Sequence, residues 1–294
     1  MRYGLQPVNP HRPLTFALCL LLAAPVTAQT GTASGSREWK RRFENTLAFV
    51  LNPLGIQDAF DVSWTKPTNR SDAPLHKDAH LAFGVSSKLT PAFERVGAWF
   101  EYAPLSVLDL RIGIEPVYYF GTYKAILPFD RAAARFDDDV IEARVKEARS
   151  GIAGRLYLSP TLKARVGPVV ARVKTELSFW RARKQESAFF YEPAWDTLIQ
   201  ASGSTLLSVE ALALREFKRA DGTTVLFGPV YDLTTVSGAS VNRKQDVGLL
   251  LVWARSRNFH ALKDPTVAVK AFYFLQDPWR RHQAAAQFAF VFGL

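Results

Sequence analysis

The last eight residues read Gln287-Phe288-Ala289-Phe290-Val291-Phe292-Gly293-Leu294. Every second side chain is large and apolar, and the residues between are small or polar. Side chains on a strand point alternately to opposite faces, so this segment is a strand with one heavy apolar ridge: Phe288, Phe290, Phe292 and Leu294. Such a ridge has to be covered, either by a protein core or by lipid.

The same alternation recurs along the chain. Glu94–Ala103 sets Val96, Ala98, Phe100 and Tyr102 against Arg95, Gly97, Trp99 and Glu101. Asp58–Thr65, Ala79–Lys88, Val107–Tyr118, Gly151–Val166 and Val169–Trp180 read alike, bounded by turn residues. Later strands are less clean and fall at Ser204–Phe217, Thr223–Thr235, Lys244–Ser256, Thr266–Asp277 and Arg281–Leu294. The run Leu249-Leu250-Leu251-Val252-Trp253 is apolar on both faces, so its lumen side must be locally packed. Asn45–Asn52 supplies one more strand, with an amphipathic helix or plug as its alternative. The expectation is an up-and-down antiparallel barrel of about twelve strands, with ten as the alternative, since single-chain barrels favour even numbers. Short turns at Pro104-Leu105-Ser106 and Gly167-Pro168 alternate with long connections at Gly121–Ser150 and Arg181–Gly203, the rhythm such a barrel requires.

The N-terminus carries a separate signal. Arg2 and Arg12 flank a largely apolar run, Leu14–Ala24, followed by Val26-Thr27-Ala28, a small-x-small cleavage site. The run is about half the roughly 20 residues a bilayer-spanning helix needs. Residues 1–28 are therefore expected to be a cleaved signal peptide, residues 29–44 a flexible periplasmic tail, and residues 45–294 the barrel. Cys19, the single cysteine, lies within the leader. Cleavage would remove two positive charges and no negative ones, taking the formal net charge from +10 to +8. Export makes nucleic acid an improbable partner for that basic balance, and the basic residues are dispersed along the strands.

These features together resemble the Gram-negative outer-membrane β-barrel superfamily in general, over about Leu47–Leu294 plus the leader. The assembly signal of that superfamily usually ends in Phe or Trp, and this chain ends in Leu294. The resemblance implies an outer-membrane location, with membrane lipid, lipopolysaccharide and the barrel-assembly machinery as partners.

If the apolar faces meet lipid, the lumen carries Arg95, Glu101, Asp109, Arg111, Glu115, Arg155, Lys163, Arg165, Arg172, Lys174 and Glu176. Glu101 and Arg111 flank a tight turn and are expected to be neighbours. Arg165 and Arg172 flank another, with equal signs, and predict a positive cluster near the periplasmic mouth. Two readings stand open for it: an anion-attracting constriction, or a salt-bridged lumen filler with acids arriving from adjacent strands.

The first long loop, with Asp137-Asp138-Asp139 and alternating charges to Arg149, predicts a short surface helix with an acidic start rather than a calcium site. The second, Phe189-Phe190-Tyr191-Glu192-Pro193-Ala194-Trp195, reads as part of an aromatic girdle, with Trp253, Tyr273 and Trp279. No His-x-x-x-His, Gly-x-Ser-x-Gly or phosphate-loop motif is present, and no cofactor or metal is implied. Along its strand, His80 is about 20 Å from Ser86, too far for a catalytic pair. The expected function is a narrow pore for small solutes, anionic ones included. The alternatives are a closed structural or adhesive barrel working through its long loops, or a barrel-rim enzyme.

Overall fold

The computed structural model describes residues 38–52, 54–69, 73–123, 125–183, 187–238, 242–255 and 262–293. The expected leader and most of the tail, Pro53 and Leu294 lie outside the described residues.

The strands in chain order are β1 (Lys40–Leu51), β2 (Gly55–Pro67), β3 (His80–Leu89), β4 (Phe93–Leu105), β5 (Leu108–Phe120), β6 (Pro128–Phe129), β7 (Ser150–Val166), β8 (Val169–Ala182), β9 (Phe189–Glu192), β10 (Thr197–Gln200), β11 (Ser204–Lys218), β12 (Thr223–Val236), β13 (Lys244–Arg255), β14 (Lys263–Gln276) and β15 (Ala284–Gly293). Twelve of them close into an antiparallel barrel, while β6, β9 and β10 form a separate three-stranded sheet. Closure runs through β1 and β15, paired from Glu44↔Gly293 to Leu51↔Ala286. The segment around Asn45 is thus a wall strand, neither helix nor plug, and the wall begins at Lys40, inside the expected tail.

Alternation decides which way each side chain faces. On β4, Phe93, Arg95, Gly97, Trp99 and Ala103 are buried, while Val96, Phe100 and Tyr102 are exposed. On β15 the inward Gln287, Ala289 and Val291 are buried and Phe288 is exposed on the outer ridge. Large apolar side chains are exposed outward around the wall, among them Ile114, Leu156, Leu177, Phe227, Leu249 and Tyr273.

Inside, rings fill space that glycines leave. Gly113 pairs with Tyr157, and a Cβ at Gly113 would lie 2.5 Å from the phenol ring. Gly84 pairs with Trp99, and a Cβ there would meet the indole at 2.6 Å. Each ring lies flat across the neighbouring strand, which only glycine permits. On the opposite wall, Leu250 and Val252 turn inward and pack with Val170, Leu212, Leu214, Leu226 and Val230. This is the packing that the two-faced apolar run requires.

The termini and the short connections after β4, β7 and β11 share one end of the barrel. The long connections, with β6, β9 and β10, share the other. Because ring closure leaves no free edge, the native barrel should resist detergent denaturation. Unboiled protein is expected to migrate differently from boiled protein on SDS gels, with a strand-dominated far-ultraviolet spectrum. Identical migration with a helical spectrum would contradict a closed barrel.

Candidate functional site: a charged lumen beneath a folded cap

The lumen-facing charges are organised around Glu115 on β5. Its carboxylate meets Lys88 Nζ at 3.1 Å, Arg95 Nη1 at 3.7 Å and Arg155, which also reaches Glu176. The chain Lys88–Glu115–Arg155–Glu176 crosses β3, β5, β7 and β8, with Arg95 of β4 at its side. Glu115 and Arg155 are almost wholly buried. The guanidinium of Arg155 lies 4.4 Å over the Tyr157 ring, and that of Arg95 lies 5.1 Å over Phe93 and 5.4 Å from Trp180. Flat cations between aromatic faces lose less on leaving water than isolated ones.

Toward the termini-bearing end, Glu101 and Arg111 are direct cross-strand partners, with Arg111 Nε donating to Glu101 at 2.7 Å. His80 Nε2 lies 3.1 Å from the same carboxylate, and Arg111 stacks 4.0 Å over Trp99. Trp99 donates to Asp61 at 2.9 Å, and Lys163 pairs with Asp109 at 2.7 Å. Across the lumen, Lys270 is held by Asp232 and Asp246.

The expected positive cluster at Arg165 and Arg172 is absent as an uncompensated charge. Arg165 pairs with Glu216 at 2.6 Å, and Arg172 pairs with Glu210. Both acids come from β11, the other neighbour of β8. Within the β7–β8 hairpin, Lys163 instead lies opposite Arg172, and Arg165 lies opposite Val170. Lys174 lies beside this set, opposite Glu210. The eleven residues read from the sequence therefore sit on one side of the lumen, β4 to β8. The sequence reading omitted their partners Lys88, Glu210 and Glu216 and the whole group on β12–β14. Lys88 was visible in the polar register of its strand, and Glu210 and Glu216 share the inward parity of β11.

The loop-bearing end carries a small folded unit packed on the inner wall. β9 and β10 form a hairpin pairing Glu192↔Thr197 to Phe189↔Gln200, and β6 adds to its far side. One set of cap residues, Ile126, Phe190, Trp195 and Ile199, packs on inward residues of the wall: Val50, Phe93, Val117, Tyr119, Trp180, Leu206 and Val236. The other set, Leu127, Phe129, Tyr191 and Leu198, packs with Phe136 and Ile141, with Trp279 alongside. Ile141 belongs to the short helix α1 (Asp138–Ala143), whose first turn is capped by Asp137 accepting from the Val140 N–H at 3.1 Å. The expected surface helix is thus present, and its apolar side roofs the cap. Among the described residues, no group of three or more potential ligands is arranged for a metal.

The girdle assignment of the second loop is corrected. Phe190 and Tyr191 are fully buried and Trp195 nearly so, because both faces of the β9–β10 hairpin are covered. Trp279 likewise packs on Phe136 in the cap, their rings 5.5 Å apart. Trp253 and Tyr273 do face outward.

Polar anchors tie the cap down at two places. Glu192 enters the lumen, accepting from Tyr119 Oη at 3.1 Å and from the Trp195 N–H at 2.7 Å, with Arg95 Nη2 at 3.8 Å. Burial raises its carboxyl above the ordinary value, and Arg95 only partly offsets this. Asp196, in the hairpin turn, is the second anchor. It accepts from Lys244 Nζ at 2.8 Å, from Tyr191 Oη at 2.7 Å and from Arg280. Arg280 also bonds Asp138 of α1 at 2.9 Å, and Lys244 lies 3.6 Å from Asp277. Burial alone would raise the Asp196 carboxyl, but Arg280 and Lys244 outweigh it and hold it below its ordinary value. Asp196 thereby binds the cap to β13 and to the β14–β15 connection.

The chain is a closed twelve-stranded β-barrel. No family model matches it, and no curated protein matches it. Solved structures that align with it include the β domain of the Bordetella autotransporter BrkA, at 11% identity and a TM-score of 0.41, over 87% of this chain and 97% of that one. The KdgM porin in complex with disordered oligogalacturonate aligns at 11% identity and a TM-score of 0.38, over 86% and 99%. The NanC porin aligns at 8% identity and a TM-score of 0.41, over 86% and 98%.

Proposed function

We propose that this barrel sits in a bacterial outer membrane and is a narrow channel for small polar solutes, closed in the described state by its cap. The membrane placement rests on the wall. A continuous outward surface of exposed Ile, Leu, Val and Phe is far larger than the apolar patches water-soluble proteins carry, and a closed barrel satisfies its backbone polar groups without water.

The observation that carries the channel reading is the charged interior beneath a separately folded cap. Burying ion pairs contributes little net stability, because desolvation offsets most of the attraction. A barrel needed only as a scaffold would be served as well by an apolar filling, like the one already present around Leu250. A lumen that passes polar solutes needs polar walls, and both signs of charge line this one. The β11 carboxylates remove the basis for strong anion selectivity, so the reading is a weakly selective path.

Conductance in planar bilayers tests it. Lys163 and Arg165 are both partly solvent-exposed at the termini-bearing mouth, so reversing them should spare folding. The pair Lys163→Glu and Arg165→Glu is expected to move the reversal potential toward cation preference, since four units of charge change in a confined space. The shift should shrink between about 0.1 M and 1 M salt, as the screening length falls from roughly 10 Å to 3 Å. Conducting steps with unchanged selectivity would take these residues out of the path. No steps in any variant, uncapped ones included, would mean a filled barrel whose function lies in its loops.

A further inference from the structure

The outward face of β5, β7 and β8 carries a trough near the loop-bearing end. Its floor is the cross-strand row Pro116–Gly154–Arg181. The ridge on one side is Ile114–Leu156–Phe179, and on the other Tyr118–Ile152, all exposed. The Arg183 N–H donates to the Ile152 carbonyl at 2.9 Å, so Arg183 stands at the head of the second ridge.

Two features set this trough apart from the rest of the wall. The first is Gly154. At the strand glycines Gly84, Gly97 and Gly113 an added Cβ would collide with an inward Trp99, Glu115 or Tyr157, so internal packing explains them. A Cβ at Gly154 would meet nothing within 4 Å. Its side-chain position opens outward, and a glycine within a strand weakens it unless something approaches closely. The second is charge. Arg181 and Arg183 are exposed on this outer surface, and neither forms an ion pair among the described residues. An arginine facing the apolar belt is costly unless it lies at headgroup level beside an anion.

We infer that this trough binds a phosphorylated, multiply acylated lipid of the outer leaflet. One acyl chain would lie over Gly154 and Pro116 between the two apolar ridges. Arg181 and Arg183 would grip the headgroup phosphate, whose oxygens match the guanidinium fork. The inference rests on the membrane placement proposed above and is independent of conductance.

The test uses folded full-length barrel in detergent, with diphosphoryl lipid A as probe and native mass spectrometry as readout. Arg181→Glu with Arg183→Glu is expected to weaken retention of the lipid at least tenfold. Gly154→Leu keeps both charges but fills the trough, and is expected to weaken it several-fold. Leucine suits a strand better than glycine, so this variant should fold, and its gel shift on heating verifies that. Dephosphorylated lipid A should bind the wild type weakly. Equal retention by wild type and both variants overturns the site. Full competition by inorganic phosphate also overturns it, leaving only a surface anion site. Fractionation of the expressing cells separates the two proposals: a barrel outside the outer membrane refutes the placement, while binding in detergent reports on the trough alone.

Discussion

Replacing Glu115 by alanine is expected to destabilise the barrel more than any other single change in its lumen. Glu115 is the anion shared by Lys88, Arg95 and Arg155, and both it and Arg155 are shut off from water. Its loss leaves three cations close to one another, with Glu176 reaching only Arg155 and Glu192 3.8 Å from Arg95. Removing one member of a buried ion pair typically costs about 3–5 kcal/mol, because the stranded charge keeps its desolvation penalty. The measurement is the urea midpoint of the heat-modifiable form, compared at constant slope. A double-mutant cycle with Arg155→Ala provides the internal check. The double variant should lose clearly less than the sum of the singles, as expected for residues in direct contact. A Glu115→Ala midpoint within error of the wild type would show that the layer is hydrated and that water already screens these charges.

How legible this layer was in the sequence depended on the strand. β4, β5, β7 and β8 alternate cleanly because their inward residues are charged and their outward residues are not, so strand positions and facing could be read directly. Tight hairpins also fixed register, which is why Glu101 and Arg111 could be paired. Across a long connection no turn pins the register. The facing of Glu210 toward Arg172 therefore had to come from the folded wall. The sequence suggested a like-charged cluster only because it gave β8 one neighbour instead of two. On β11–β14 the alternation blurs because Leu212, Leu214, Leu226 and Leu250 point inward and are apolar too.

The cap was the least legible part, for a related reason. A two-stranded hairpin covered on both sides has no polar face, so Phe189–Trp195 reads from composition like a membrane-interface belt. What reveals it as a plug is its contacts with wall residues from β1 to β12, most of them far away in sequence. Asp196 and Arg280 are 84 residues apart. No period of two or 3.6 links them.

That same contact makes the cap's hold on the barrel testable. Asp196→Asn is expected to convert a closed barrel into one that opens frequently. The substitution preserves size and the hydrogen bond from Tyr191, but it removes the carboxylate charge that Lys244 and Arg280 share at the hairpin turn. Lys244 retains Asp277 at 3.6 Å and Arg280 retains Asp138, so both cations keep a partner while the cap loses the anchor at its hairpin turn. A penalty of about 3 kcal/mol, the lower end for breaking a buried pair, would raise the open-to-closed ratio by roughly a hundredfold. A cysteine at Ile199, fully buried on the side of the cap that packs against the wall, reports this directly once Cys19 is replaced by serine. Its labelling rate should rise by that factor, and open probability in planar bilayers should rise with it. Acid should mimic the substitution. The Asp196 carboxyl is depressed in the capped state, so its contribution is present above the ordinary aspartate range near pH 4 and is lost as pH falls through the lower capped-state value. Glu192 works in the opposite sense, since its raised value favours the capped state at lower pH. Acid labelling should therefore rise less steeply in the wild type than in a Glu192→Gln variant, where Asp196 acts alone. Labelling that is slow and equal in wild type and Asp196→Asn would mean that the apolar contacts of Phe190, Trp195 and Ile199 hold the cap by themselves, and that Asp196 is not its latch.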